Sequence, residues 1–144
     1  MWSVKRLKSL GSSIQDLVDV YIKQVRLAVE FGVPIWNSSL TKGDIINIER
    51  VQKVFFYIIF ENNYENYDTA LNITKIESLE QRRHQLCVTF ATKSINNYKF
   101  SKWFQIGGPN TRSHLTRYSV PEARLKRFEK SPIPYLTSLL NTQL

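Results

Sequence analysis

The feature that most constrains the fold is an apolar pattern with helical period in the first sixty residues. Between Ile14 and Val33 it runs through Ile14, Leu17, Val18, Tyr21, Ile22, Val25, Ala28, Val29, Gly32 and Val33. Steps of three and four place these residues on one stripe of an α-helix and cannot alternate across a strand. Ser13 followed by Asp16 has the capping-box spacing, so a helix is predicted over 13–33, ended or kinked by Gly32 and Pro34. A second helix is predicted from Thr41, with Asp44 three residues on, to about Phe60. Its second half is apolar nearly all round, which makes it the expected central, most buried element. Asp68 is placed to cap a short helix through Leu71. Ser78 and Gln81 form another capping-box pair and open a third long helix with the stripe Leu79, Leu86, Cys87, Phe90 and Ala91.

After Ile95 the period is lost. Residues 96–130 carry Asn, Gly-Gly-Pro, Thr and Ser clusters, with aromatics interleaved among bases as in Tyr98-Lys99-Phe100 and Lys102-Trp103-Phe104. In SPIPYLTSLL, Ser131 or Ile133 precedes a proline suited to a first helical turn. The expected fold is mainly α. Three long helices pack as a small bundle over 1–95, and 96–144 form an irregular basic tail with a short terminal helix.

Charge is distributed unevenly along the chain. Residues 41–95 hold seven Lys/Arg and seven acids, whereas 96–144 hold eight Lys/Arg and two acids, a net +6 within an overall +8. A basic end on a neutral body fits a polyanion partner, nucleic acid first; the alternative is a basic surface that only keeps the protein soluble. One cysteine, Cys87, rules out an internal disulfide and fits a reducing, intracellular compartment, nuclear or cytoplasmic. Basic residues interrupt the N-terminus before an apolar stretch of signal-peptide length accumulates. The apolar run Val54 to Phe60 is too short to span a bilayer, so no membrane partner is expected. Asn37-Ser38-Ser39 and Asn72-Ile73-Thr74 match the glycosylation pattern and, without an export signal, are read as chance.

The residues for several chemistries are missing. A polymerase needs paired aspartates holding two metal ions. The aspartates here are Asp16, Asp19, Asp44 and Asp68, no two adjacent. No phosphate loop of the GxxxxGK[ST] kind occurs. His84 and Cys87 lie three apart, with His114 further on, but a structural zinc wants four ligands. No catalytic residue, metal, cofactor or small-molecule substrate is therefore expected. Cys87, on an apolar stripe, reads as a small core residue. Glu49 and Gln52 share a face with Ile45 and Phe56, and Arg83 sits between Leu79 and Leu86. An unpartnered buried charge costs several kcal/mol, so Glu49 and Arg83 are expected to pair across two packed helices.

Four segments together resemble the region behind the polymerase core of non-LTR (LINE-type) retrotransposon reverse transcriptases. They are Tyr21, Val25, Arg26, Glu30, Phe31, Pro34, Ile35 and Trp36; then Ile48 to Lys53; then Tyr67 with Ala70 and Leu71; then Ser78, Leu79, Glu80, Arg82 and Arg83. The closing RFEKSPIPYLTSLLN is similar to the end of polyproteins in animal elements of this group. The resemblance covers nearly the whole chain. It implies a helical accessory region that touches template or target nucleic acid near a polymerase core. The fingers, palm and thumb that would precede residue 1 are missing, so the chain is expected to be a non-catalytic C-terminal fragment of such a reading frame.

The first expected function is weak RNA or DNA binding by that fragment. Lys99, Lys102, Arg112, Arg117, Arg124, Lys126, Arg127 and Lys130 are the phosphate-contact candidates. Trp103, Phe104 and Tyr118 either stack on bases or cover the hydrophobic body of the domain. The alternative is a helical protein-interaction module whose aromatic tail docks on the missing polymerase core, without nucleic-acid contact of its own.

Overall fold

The computed structural model describes residues 1–107 and 118–143. In chain order the helices are α1 (Trp2–Ser9), α2 (Ile14–Val20), a π-helical stretch (Tyr21–Arg26), α3 (Leu27–Glu30), α4 (Val33–Trp36), α5 (Lys42–Phe60), α6 (Tyr67–Thr74), α7 (Leu79–Ile95), α8 (Lys126–Glu129) and α9 (Pro132–Thr142). The protein is thus mainly helical. The extended pairing among the described residues is one isolated antiparallel bridge, Ile106 to Tyr118.

The chain forms two compact units. The first comprises Met1–Phe31 and Thr41–Arg82, the second Gly32–Leu40 and Arg83–Leu144. These differ from the 1–95 and 96–144 division: residues 83–95 and the nine residues from Gly32 fall with the tail.

In the first unit three caps are those the sequence spelled out. The Ser13 hydroxyl accepts from the Asp16 N–H while Asp16 reaches back to the Ser13 N–H. Thr41 and Asp44 do the same at α5, and Ser78 with Gln81 at α7. Each pair satisfies two N–H groups that the first helical turn leaves open. Tyr21, Phe55, Phe56 and Leu17 form the centre of the core, with the Tyr21 and Phe55 rings stacked at 4.1 Å and 16°. The second half of α5 is the most buried stretch of its unit, although Val54 and Tyr57 face solvent. At the end of α5, Lys8 donates to the Ile58 carbonyl at 2.7 Å and pairs with Glu61 at 2.7 Å. A cation there complements the helix dipole and ties α1 to α5.

Three local expectations change. The predicted 13–33 helix stops at Glu30, because its C-cap Phe31 turns extended, Gly32 takes a left-handed φ of +67° and the next turn restarts at Val33 with Pro34 in its first positions. The cap of the short helix is Asn66, whose side chain accepts from the Thr69 N–H; Asp68 lies inside the first turn. The helix α1, with Val4 fully buried, has too few apolar residues to stand out as a stripe.

The second unit packs Val33, Cys87, Ala91, Phe104, Tyr118, Leu136 and Leu140 together. Pro132 opens α9 with Ser131 as its N-cap, the first of the two expected alternatives. The Asn141 side chain accepts from the Tyr118 N–H at 3.1 Å and donates to the Tyr118 carbonyl at 2.9 Å. With the Ser119 N–H to Gln105 carbonyl bond at 2.8 Å, this fixes 105–106 and 118–119 beside α9.

Candidate nucleic-acid interface

Burial sorts the candidate residues of the second unit. Lys99, Lys102, Arg124, Lys126, Arg127 and Lys130 are all exposed. Arg112 and Arg117, and also His114, lie outside the described residues. The turn α8 carries Lys126, Arg127 and Glu129, and its C-cap Lys130 donates its N–H to the Lys126 carbonyl at 3.2 Å. That closed turn places Lys126 and Lys130 on the same side, one turn apart. None of the six pairs with a carboxylate among the described residues. Their charge is therefore available to an anion.

The aromatics divide differently. Tyr118 is 8% exposed and Phe104 4%, packed edge-to-face at 6.5 Å in the core. A ring whose faces are occupied by protein cannot stack on a base, so Tyr118 is withdrawn as a contact, and Phe104 with it. Trp103 is half-buried, packed on the core and tilted over Phe100 at 4.8 Å. Tyr98 is open to solvent, 83% exposed, with the Lys99 ammonium 5.7 Å from its centroid, and the Phe128 ring is exposed as well.

Residues that carry no signal of their own in the sequence complete the surface. An open pocket of about 450 Å³ is lined by Ser38, Lys126, Glu129, Lys130, Tyr135 and Ser138, among others. Beneath it runs a hydrogen-bonded chain. Arg83 Nε donates to Asn37 Oδ1 at 3.2 Å, and Asn37 Nδ2 donates to the Tyr135 hydroxyl at 2.9 Å. Tyr135 in turn bonds the Cys87 thiol. Burial pushes that thiol up to about 11, with the Tyr135 bond and the Arg83 charge acting the other way. A buried, protonated thiol is a poor nucleophile. Among the described residues no three His, Cys, Asp or Glu side chains cluster to hold a metal ion. The one available signal was Asn37-Ser38-Ser39 directly after Trp36, which as a sequence matches only a glycosylation pattern.

The first unit holds a second polar network, from residues on the apolar stripes. The Tyr67 hydroxyl donates to Glu49 Oε1 and lies 3.2 Å from Gln52 Oε1. The Leu79 N–H donates to the same Glu49 oxygen at 3.1 Å, and the fully buried Gln52 donates to the Glu77 carbonyl at 3.0 Å. Burial first, then the Glu49 carboxylate, hold the Tyr67 phenol strongly protonated. Nearby, Arg82 grips Glu30 with Nε at 3.0 Å and Nη2 at 3.4 Å, while Arg26 Nε approaches the same carboxylate at 3.3 Å. Glu49 belongs to the first unit and Arg83 to the second. Glu49 accepts from Tyr67 and Leu79 of its own unit, and Arg83 donates to Asn37 of its own. This network offers hydrogen bonds and charge pairs that hold helices in register.

No protein family, curated protein or solved structure matches the chain.

Proposed function

We propose that this chain is a non-catalytic C-terminal part of a LINE-type retrotransposon reverse transcriptase that binds single-stranded nucleic acid weakly through its second unit. The three long helical segments serve as scaffold, and Lys99, Lys102, Arg124, Lys126, Arg127 and Lys130 are the contacts. The observation that carries the reading is that all six cations are exposed and unpaired among the described residues. Phosphate contacts of this kind give affinity without base information. The four sequence landmarks supply the family. The place of action is intracellular, nuclear or cytoplasmic, and no described helix is long and apolar enough to cross a membrane.

The test is fluorescence anisotropy with labelled single strands across a salt series. The log–log slope of affinity against salt is about −0.7 per phosphate neutralised. Changing Arg124, Lys126 and Arg127 together to Ala should therefore flatten the slope by about 2, equally for unrelated sequences. An unchanged slope would remove α8 from the interface. Primer extension with Mg²⁺ should give no product above background. Sustained synthesis, abolished by changing a residue of this chain, would overturn the non-catalytic reading.

Exposed apolar side chains among the cations, Tyr98, Ile106, Leu125 and Phe128, favour a second reading. In it the same surface docks on a polymerase core and has no nucleic-acid contact of its own. Absence of strand binding even at low salt would place this reading first.

A further inference from the structure

We infer that the pocket beside α8 receives the terminal nucleotide of a single strand and selects an end that carries a phosphate. This rests on the nucleic-acid reading above and assigns it a defined point of contact. Four observations support it. First, the pocket holds about 450 Å³, within the range of small-ligand sites; it has room for one nucleotide and not for a duplex. Second, Lys126 and Lys130 both line it, one turn apart, and neither pairs with a carboxylate among the described residues. A phosphate monoester carries about −1.5 to −2 charges at pH 7, against one for the diester inside a strand. Two neighbouring ammonium groups therefore favour the end over the interior. Third, the remaining lining suits the rest of a nucleotide. Val120, Pro134 and the Tyr135 ring offer apolar surface to a base, and the Ser138 hydroxyl offers a polar contact. Glu129 also lines the pocket. Its carboxylate repels a phosphate placed against it and accepts a hydrogen bond from a sugar hydroxyl, so it orients the nucleotide with phosphate toward the lysines. Fourth, Ser38 lines the same pocket, and its hydroxyl is shielded from solvent with no hydrogen-bond partner among the described residues. A buried hydroxyl left without a partner is costly, and a turn about its Cα–Cβ bond would let it meet a ligand oxygen.

Anisotropy on the full chain tests this, with one labelled strand prepared with a 5′-phosphate, a 3′-phosphate or hydroxyls at both ends. At least one phosphorylated strand should bind about tenfold more tightly than the hydroxyl-ended strand, the size of one added charge-assisted hydrogen bond. Adenosine 5′-monophosphate should compete with that strand and adenosine should not. Ser138→Trp fills the pocket from an exposed position without changing charge. It should bring the phosphorylated and hydroxyl-ended strands to equal affinity. Equal affinity for all three strands overturns the inference, and so does a preference that survives Ser138→Trp. Competition by the monophosphate without any end preference overturns the assignment to a strand end. In these cases binding of the hydroxyl-ended strand leaves the broader reading standing; if no strand binds at low salt, both fall.

Discussion

Replacing Tyr67 with Phe removes one oxygen from the first unit and nothing else of its shape. That hydroxyl donates to Glu49 and reaches Gln52 at 3.2 Å, and its ring packs on Phe56 at 5.7 Å between centroids. The Phe variant keeps the ring contact, so the loss is that of the hydrogen bonds. A bond to a charged acceptor contributes about 1.5–3 kcal/mol, and Glu49 Oε1 keeps its bond from the Leu79 N–H, so no further desolvation cost is added. An expected loss of about 1.5–3 kcal/mol follows. With a urea m-value of about 1–3 kcal/mol/M, the midpoint should fall by roughly 1 M at unchanged slope. Tyr57, exposed on the same helix that carries Glu49, is the control: Tyr57→Phe should change stability by less than about 0.5 kcal/mol. The cycle with Glu49→Gln separates charge from shape. If the carboxylate is what Tyr67 serves, the Phe substitution should cost only about 1 kcal/mol in the Gln background. A loss under about 0.5 kcal/mol for Tyr67→Phe in the natural background would refute the reasoning, since that is what a solvated hydroxyl gives.

Alkaline pH should destabilise the second unit before extreme values are reached. The Cys87 thiol is pushed up to about 11 by burial, while its unfolded counterpart ionises near 8.5. The folded state therefore keeps the proton longer. The stability is fully present below about pH 8.5 and is lost as pH rises towards 11, by about 3 kcal/mol in total; Tyr135, also raised by burial, titrates above its ordinary value. Urea midpoints from pH 7 to 10 should decline above about pH 9, and Cys87→Ala should flatten that decline. Asn141→Ala should cost about 2 kcal/mol, because the Tyr118 N–H and carbonyl each lose a bond of about 1 kcal/mol. Faster amide exchange at Tyr118 than at Leu86, inside α7, would locate the effect; unchanged exchange at Tyr118 would show that Asn141 does not hold it.

How much was legible in the sequence follows from range. Helix caps are written in residues three apart, so Ser13 with Asp16, Thr41 with Asp44 and Ser78 with Gln81 could be read directly. Asn66 was missed because Asp68 is an equally good capping residue two positions on, and only the backbone at Asn66, extended at φ −153°, distinguishes them. The exposed cations could be expected from composition. That Tyr118 takes the buried one of its two expected roles could not be decided, because its packing depends on Asn141, 23 residues away, and on Phe104 across the bridge to Ile106. The pocket was illegible for the same reason. Ser38, Lys126 and Tyr135 come from three separate stretches that no periodic pattern links.

The assignment of Gly32–Leu40 to the second unit has a consequence for synthesis on the ribosome. Asn37 bonds to Tyr135, 98 residues later. At about 5–20 residues per second, Asn37 waits roughly 5–20 s after its own emergence before that partner exists. During that interval Val33 and Trp36, whose core includes Leu136 and Leu140, are apolar side chains without their native cover. The first unit has all of its residues once Arg82 has emerged, whereas the second still lacks most of its own. A nascent chain paused between those two points is therefore the form most exposed to chaperones and proteases. Rare codons placed after Arg82 should lower the yield of folded protein more than the same codons placed near the start.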